Sequence, residues 1–201
     1  MDNHDAASGR THKKENGKDT LLLYLHDFVT WLVVILLVFL LLFRVVVVSG
    51  PSMNATLVHG DYLLLLNNVF YKNPQQGDIV VAAKDSFKNG EPIIKRVIAT
   101  EGQWVDIDFD KGIVYVNGTA LDEPYINTPT NLYEGIDFPL MVDEGCIFVM
   151  GDNRNESKDS RSLDIGQIDK REILGRAIFL FLPGRDPVTE EMNIKRIGAL
   201  F

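Results

Sequence analysis

The chain has 201 residues, and setting aside an apolar run near its start leaves about 150 residues, enough for one domain or two small lobes with a core. The net charge of −8, with only 20 scattered basic residues, excludes a nucleic-acid partner, because neutralising phosphates needs clustered lysine and arginine. The single cysteine, Cys146, has no internal disulfide partner and reads as a core thiol beside Ile147, Phe148 and Val149; the histidines at 4, 12, 26 and 59 are too dispersed to ligate a metal, so no metal and no cofactor is expected.

Residues 1–27 read as a disordered cytoplasmic tail with a juxtamembrane segment, since the first 19 are small and polar and cannot bury enough surface to offset their ordering entropy. Residues 28–48 read as a transmembrane anchor. "FVTWLVVILLVFLLLF" carries no charge, Arg44 can snorkel to the headgroups, and "VVVV" at 45–48 extends the run to roughly 20 residues, the span of a bilayer. The length of the run, and the lack of an A-x-A-like site after it, oppose a cleaved signal peptide. Arg10, Lys13, Lys14 and Lys18 precede the span, whereas the next basic residue after Arg44 is Lys72, which puts the N-terminus in the cytoplasm and residues 49–201 outside.

That outer part reads as mainly β. "YLLLL" (62–66), "GDIVVAA" (77–83), "PIIKRVIA" (92–99), "WVDIDF" (104–109), "IVYVNG" (113–118), "CIFVM" (146–150) and "RAIFLFL" (176–182) are short, rich in β-branched or aromatic residues, and separated by Gly, Pro, Asn and Asp. "VDIDFDKGIVYV" predicts a hairpin turning at Asp110-Lys111-Gly112. Helical segments are expected only, if anywhere, near 130–135 and 164–174.

Three stretches carry chemistry. In "GPSMNATL" (50–57), the permissive Gly50 and the stiff Pro51 precede Ser52, a turn suited to aiming a hydroxyl into a cleft while its own N–H holds an oxyanion. A serine needs a base to become a nucleophile. His59 is one candidate, although no acid is placed to orient it. Lys95 is the other: in "IIKRVI" a two-residue period puts Ile93, Lys95 and Val97 on one face and Ile94, Arg96 and Ile98 on the opposite one. Desolvation among isoleucines and valines favours the neutral amine that a base requires, and the segment alone leaves open whether Lys95 is buried in this way or snorkels from a strand edge. In the polar loop "GDNRNESKDSRS" (151–162), Ser157 is suited to fix a neutral amine by hydrogen bonding, and Asp159 with Arg161 to form an ion pair that shapes the loop.

In this order after an N-terminal anchor, "PSMNATL", "GDIVV" (77–81), "IIKRVIATEGQ" (93–103) and "GDNRNESKDSR" closely resemble the four boxes of the bacterial type I signal peptidases, membrane-bound serine proteases with a Ser/Lys dyad. The resemblance implies Ser52 as nucleophile, Lys95 as general base, Ser157 as the hydroxyl that orients the lysine, and Asp159 with Arg161 as a structural ion pair. It also implies an antiparallel β catalytic core with a second β-lobe inserted at roughly 104–145. The implied partners are membrane lipid and the signal peptides of exported preproteins, cut after small residues at the first and third positions before the scissile bond. Two positions depart from the family pattern. Ala55 stands where proline is frequent, and Gly50 stands where some members carry a serine or threonine whose hydroxyl completes the oxyanion hole, so a second backbone donor or a water is expected to serve instead. A non-enzymatic assembly factor on the same fold is the competing reading, which the presence of both Ser52 and Lys95 opposes. Oligomeric state is not legible.

Overall fold

The computed structural model of the protein describes residues 17–84, 87, 90–186 and 189–200. The apolar run forms one helix, α1 (Gly17–Leu42), of which Thr20–Leu42 is long and apolar enough to cross a membrane. The helix thus starts and ends earlier than the span expected at 28–48. The part of the expected disordered segment from Gly17 onward is helical, while residues 1–16 lie outside the described residues. At the other end, Phe43–Val47 is strand β1 rather than membrane helix. Valine's branched Cβ suits a pleated strand, and the core supplies a reason to form one: Val46 packs against it and Val48 is 2% exposed within it.

Residues 42–201 form a unit separate from the helix. Here β1 pairs antiparallel with β2 (Tyr62–Asn67), Val46 opposite Leu63. "YLLLL" is thus a core strand, burying Leu63 and Leu65. The next strands are β3 (Ile79–Ala82), β4 (Ile93–Thr100), β5 (Trp104–Asp108), β6 (Ile113–Val116), β7 (Thr119–Ala120) and β8 (Leu140–Met141), then β9 (Cys146–Met150), β10 (Ile168–Asp169), β11 (Ile173–Leu182) and β12 (Gly198–Ala199). They build two antiparallel sheets. The larger runs β1-β2-β11-β3-β4-β9-β10 with β12 on β11; the smaller, β7-β6-β5-β8, comes wholly from the chain between β4 and β9 and includes the expected hairpin, Asp108 opposite Ile113. The fold class is therefore the expected one, a mainly β protein with an antiparallel core and an inserted β-lobe after an apolar helix. The segment near 130–135 is not helical, and 164–174 contains only a 3-10 turn at Lys170–Glu172.

Strand β4 meets all three apolar clusters, which is why a polar side chain on it can be held so firmly. Ile94 packs with Ile79, Val81, Met53 and Leu57, whereas Ile93 and Val97 pack with Val80 and Val149, as the two-residue period predicts. Past an irregularity between Val97 and Ala99, Ile98 and Ala99 turn to the cluster shared with Val105, Val114 and Phe148.

Candidate active site

The loop after β1 is anchored at both ends. Val48 N–H donates to Asp61 O at 2.8 Å and Gly60 N–H to Val48 O at 2.9 Å, while Met53 and Leu57 are 1% and 0% exposed in the core. The buried Asp61 carboxylate collects the Val58 N–H (2.8 Å), the Gly184 N–H (2.7 Å) and both ends of the Arg196 guanidinium (2.9 and 2.6 Å). On this braced loop sits Ser52. Gly50 has φ +88, a conformation that side chains rarely adopt, so serine at that position is strained whatever room surrounds it. A Gly50→Ser substitution is accordingly not a clean test of the oxyanion donor. Among the described residues the Ser52 N–H donates to no protein group and is available to a substrate oxygen.

Lys95 is 4% exposed, so of the two placements open at the sequence level it takes the buried one. Its Nζ lies 2.8 Å from Ser52 Oγ and donates to Ile94 O at 3.1 Å, a junction of side chains 43 residues apart in sequence. Both residues line a cavity of about 440 Å³ bounded by Val46–Met53 on one side and Glu91–Lys95 on another. His59 instead accepts the Gly50 N–H at Nδ1, 3.3 Å away, and lines a different cavity of about 760 Å³ with Tyr62, Leu182 and Met192.

The loop 151–162 closes over this junction. Asn153 donates its N–H to Ser52 O at 3.0 Å and its side-chain amide to Pro51 O at 3.2 Å. Gly151 leaves no space for a side chain: a Cβ there would stand 2.4 Å from Ser52 O and 2.2 Å from Ser157 Oγ. Ser157 Oγ donates to Asp159 Oδ2 at 2.8 Å, and the same oxygen accepts the Gly151 N–H at 3.0 Å. Arg161 grips Asp159 at two points, Nε–Oδ1 2.8 Å and Nη2–Oδ2 2.9 Å, with both residues wholly buried. Burial alone would raise the Asp159 carboxyl, but the hydrogen bonds and charge of Arg161, the Gly151 N–H and the nearby Lys95 outweigh it and hold the group below the usual carboxylate range. Glu134, 3.8 Å from Arg161, is pushed the other way by burial and by the charge of Asp159.

Sequence reasoning passed over a second charged layer behind this one. Arg96, next to Lys95, makes a two-point pair with Asp152 (2.8 and 2.6 Å) and donates to Gly77 O at 2.9 Å. Thr56 of the serine loop donates to the same Asp152 at 2.5 Å. Arg154, 0% exposed, pairs at two points with Glu123 of the inserted lobe (2.9 and 2.5 Å) and donates to Thr130 Oγ1 and Gly151 O. The available signal was an arginine within an apolar strand and another in a Gly-Asp-Asn-Arg turn, positions where charge persists only if partnered.

Similar proteins are known. The chain is 35% identical over 179 residues to a signal peptidase I of Bacillus licheniformis, covering 85% of this chain and 94% of the relative, and 34% identical over 184 residues to signal peptidase I S of Bacillus subtilis (strain 168), covering 85% and 95%. A solved signal peptidase I from Enterococcus faecalis V583 is 33% identical, with a TM-score of 0.43 over 52% of this chain and 97% of that one. The profile of the family described as signal peptidase, peptidase S26, matches residues 21–182, and with relatives this similar over nearly their whole length the chain belongs to that family.

Proposed function

We propose that this protein is a membrane-anchored serine endopeptidase that removes signal peptides from exported preproteins, with Ser52 as nucleophile and Lys95 as general base. The observation that carries the assignment of residues is the 2.8 Å approach of Lys95 Nζ to Ser52 Oγ in a lined cavity. With the amine neutral, the Ser52 hydroxyl donates to Nζ; as Oγ attacks the carbonyl before the cut, the proton passes to Lys95 and the Ser52 N–H receives the developing oxyanion. The charged lysine then protonates the leaving amine, leaving an acyl-enzyme, and the same nitrogen next deprotonates the water that hydrolyses it. Ser157, Asp159 and Arg161 act as the support: Arg161 fixes Asp159, Asp159 fixes the Ser157 hydroxyl and the Gly151 N–H, and Gly151 abuts Ser52.

The substrate lies extended along β1, which ends the sheet and pairs with β2 alone among the described strands, so its other edge is available for main-chain hydrogen bonds. Small residues fit the walls that Val46, Val48 and Ile94 give the cavity. Helix α1 anchors the protein, and the lysine and arginine residues before it set the N-terminus in the cytoplasm and the peptidase outside. The test is to mix full-length protein in detergent with a model preprotein, quench in acid and map adducts by mass. An acyl group on Ser52 and a cut after a small residue are expected; cleavage that survives Ser52→Ala overturns the assignment.

A further inference from the structure

One aromatic ring of the inserted lobe packs against the dyad's supports. Tyr125, on the segment after β7, lies under the Arg96 guanidinium, 4.1 Å from Cζ to ring centroid, and 5.9 Å from that of Arg154. Its hydroxyl donates to Glu123 Oε1 at 3.0 Å, the oxygen that also takes Arg154 Nη2. The ring thus stands between two two-point ion pairs, Arg96–Asp152 and Arg154–Glu123. Each pair ends on the core beside the reacting atoms. Arg96 adjoins Lys95 in β4; Asp152 holds Thr56 of the serine loop and lies between Gly151, against Ser52 O, and Asn153, which donates to Ser52 O. Arg154 ties back to Gly151 O. A guanidinium stacked on an aromatic face is confined in the plane needed for a two-point carboxylate pair, and the ring shields that pair from water. Burial, then the charge of Glu123, keeps the Tyr125 hydroxyl protonated far above neutrality, so it serves as a steady donor.

We propose that Tyr125 is a positioning residue: its ring holds Arg96 square to Asp152 and so sets the distance between Lys95 and Ser52 from the inserted lobe. The inference rests on the Ser52/Lys95 reading above. Through Arg96 and Asp152 the ring acts on two chain segments, one bearing the base and one bracing the nucleophile, without itself touching substrate.

The test compares full-length wild type, Ser52→Ala, Tyr125→Phe and Tyr125→Met in detergent, measuring kcat and KM on a model preprotein, with the folded fraction from near-ultraviolet circular dichroism. Phenylalanine keeps the ring; methionine keeps comparable bulk without an aromatic face. Tyr125→Phe is expected within about twofold of wild type, whereas Tyr125→Met loses at least about tenfold in kcat per folded molecule with KM within about twofold, since sub-ångström misplacement is felt in the chemical step and not in binding. Wild-type kcat in folded Tyr125→Met, or a loss confined to KM, overturns the proposal, as does failure of phenylalanine to preserve the rate. Should Tyr125→Met fail to fold, Tyr125→Leu removes the aromatic face with a smaller apolar side chain and is read in the same way; a kcat-only loss in the folded variant supports the proposal and a wild-type kcat overturns it. A wild type that does not cut, or a Ser52→Ala variant that still does, refutes the dyad instead, so the two failures are distinct.

Discussion

Replacing Gly151 with alanine adds one methyl group at the tightest point of the site. Its Cβ would stand 2.4 Å from the Ser52 carbonyl oxygen and 2.2 Å from Ser157 Oγ, each about 1 Å inside ordinary contact. Neither neighbour yields easily. Ser52 O is held by the Asn153 N–H at 3.0 Å, and Ser157 is held by the wholly buried Asp159. The loop must therefore move away from Ser52, and a shift of about 1 Å between nucleophile and base costs on the order of 100-fold in rate. Overpacking adds a stability loss of about 1–3 kcal/mol, so the variant still folds if the wild type has an ordinary reserve. The assay is kcat on a model preprotein with thermal unfolding followed in the same detergent. Gly198→Ala is the matched control, because nothing lies within 4 Å of a Cβ there; its rate should not change and its stability should stay within about 0.5 kcal/mol. A folded Gly151→Ala enzyme with wild-type kcat would refute the claim that this loop sets the position of Ser52.

Asp152→Ala leaves the Arg96 guanidinium buried without its partner, and urea unfolding should show a loss of about 3–5 kcal/mol, well beyond that of an exposed carboxylate. The pH dependence of stability should differ in sign between two carboxyls of the same cluster. Asp159 is depressed on folding, so its contribution is present above the unfolded carboxylate value of about 3.9 and is lost as pH falls through the lower folded value; the deficit of Asp159→Asn should shrink in acid. Glu134 is raised on folding, so its ionisation lowers stability as pH rises from about 4.3 through the folded value; Glu134→Gln should gain on wild type over that rise and level off above it. Denaturant titrations from acid to neutral pH check both, and parallel curves for wild type and variant would contradict them.

Ser52 and Lys95 were legible because each sits in a stretch whose local pattern is unusual: a serine after Gly-Pro, and a lysine inside an apolar strand. Seven strands were legible from β-branched runs between turn residues, and each is found in place. Strand β1 was not. "VVVV" continues an apolar run, and periodicity cannot separate a strand that pairs with β2 from the end of a membrane helix. Nor were the Arg96–Asp152 and Arg154–Glu123 pairs, whose partners stand 56 and 31 residues apart and obey no spacing rule. The sequence revealed that Arg96 points away from Lys95's face; only the fold brings Asp152 and the Tyr125 ring to meet it.

The central claim is that Lys95 acts as a base on Ser52, and the most direct measurement is single-turnover cleavage of a model preprotein by wild type, Ser52→Ala, Lys95→Ala and Lys95→Arg. Arginine keeps the positive charge but stays protonated at any working pH, so it cannot accept the serine proton. Cleavage by wild type alone, with Lys95→Arg folded and as inactive as Lys95→Ala, is the predicted result. Cleavage by Lys95→Arg at a rate near wild type would mean that the lysine contributes charge rather than proton transfer, and would contradict the account.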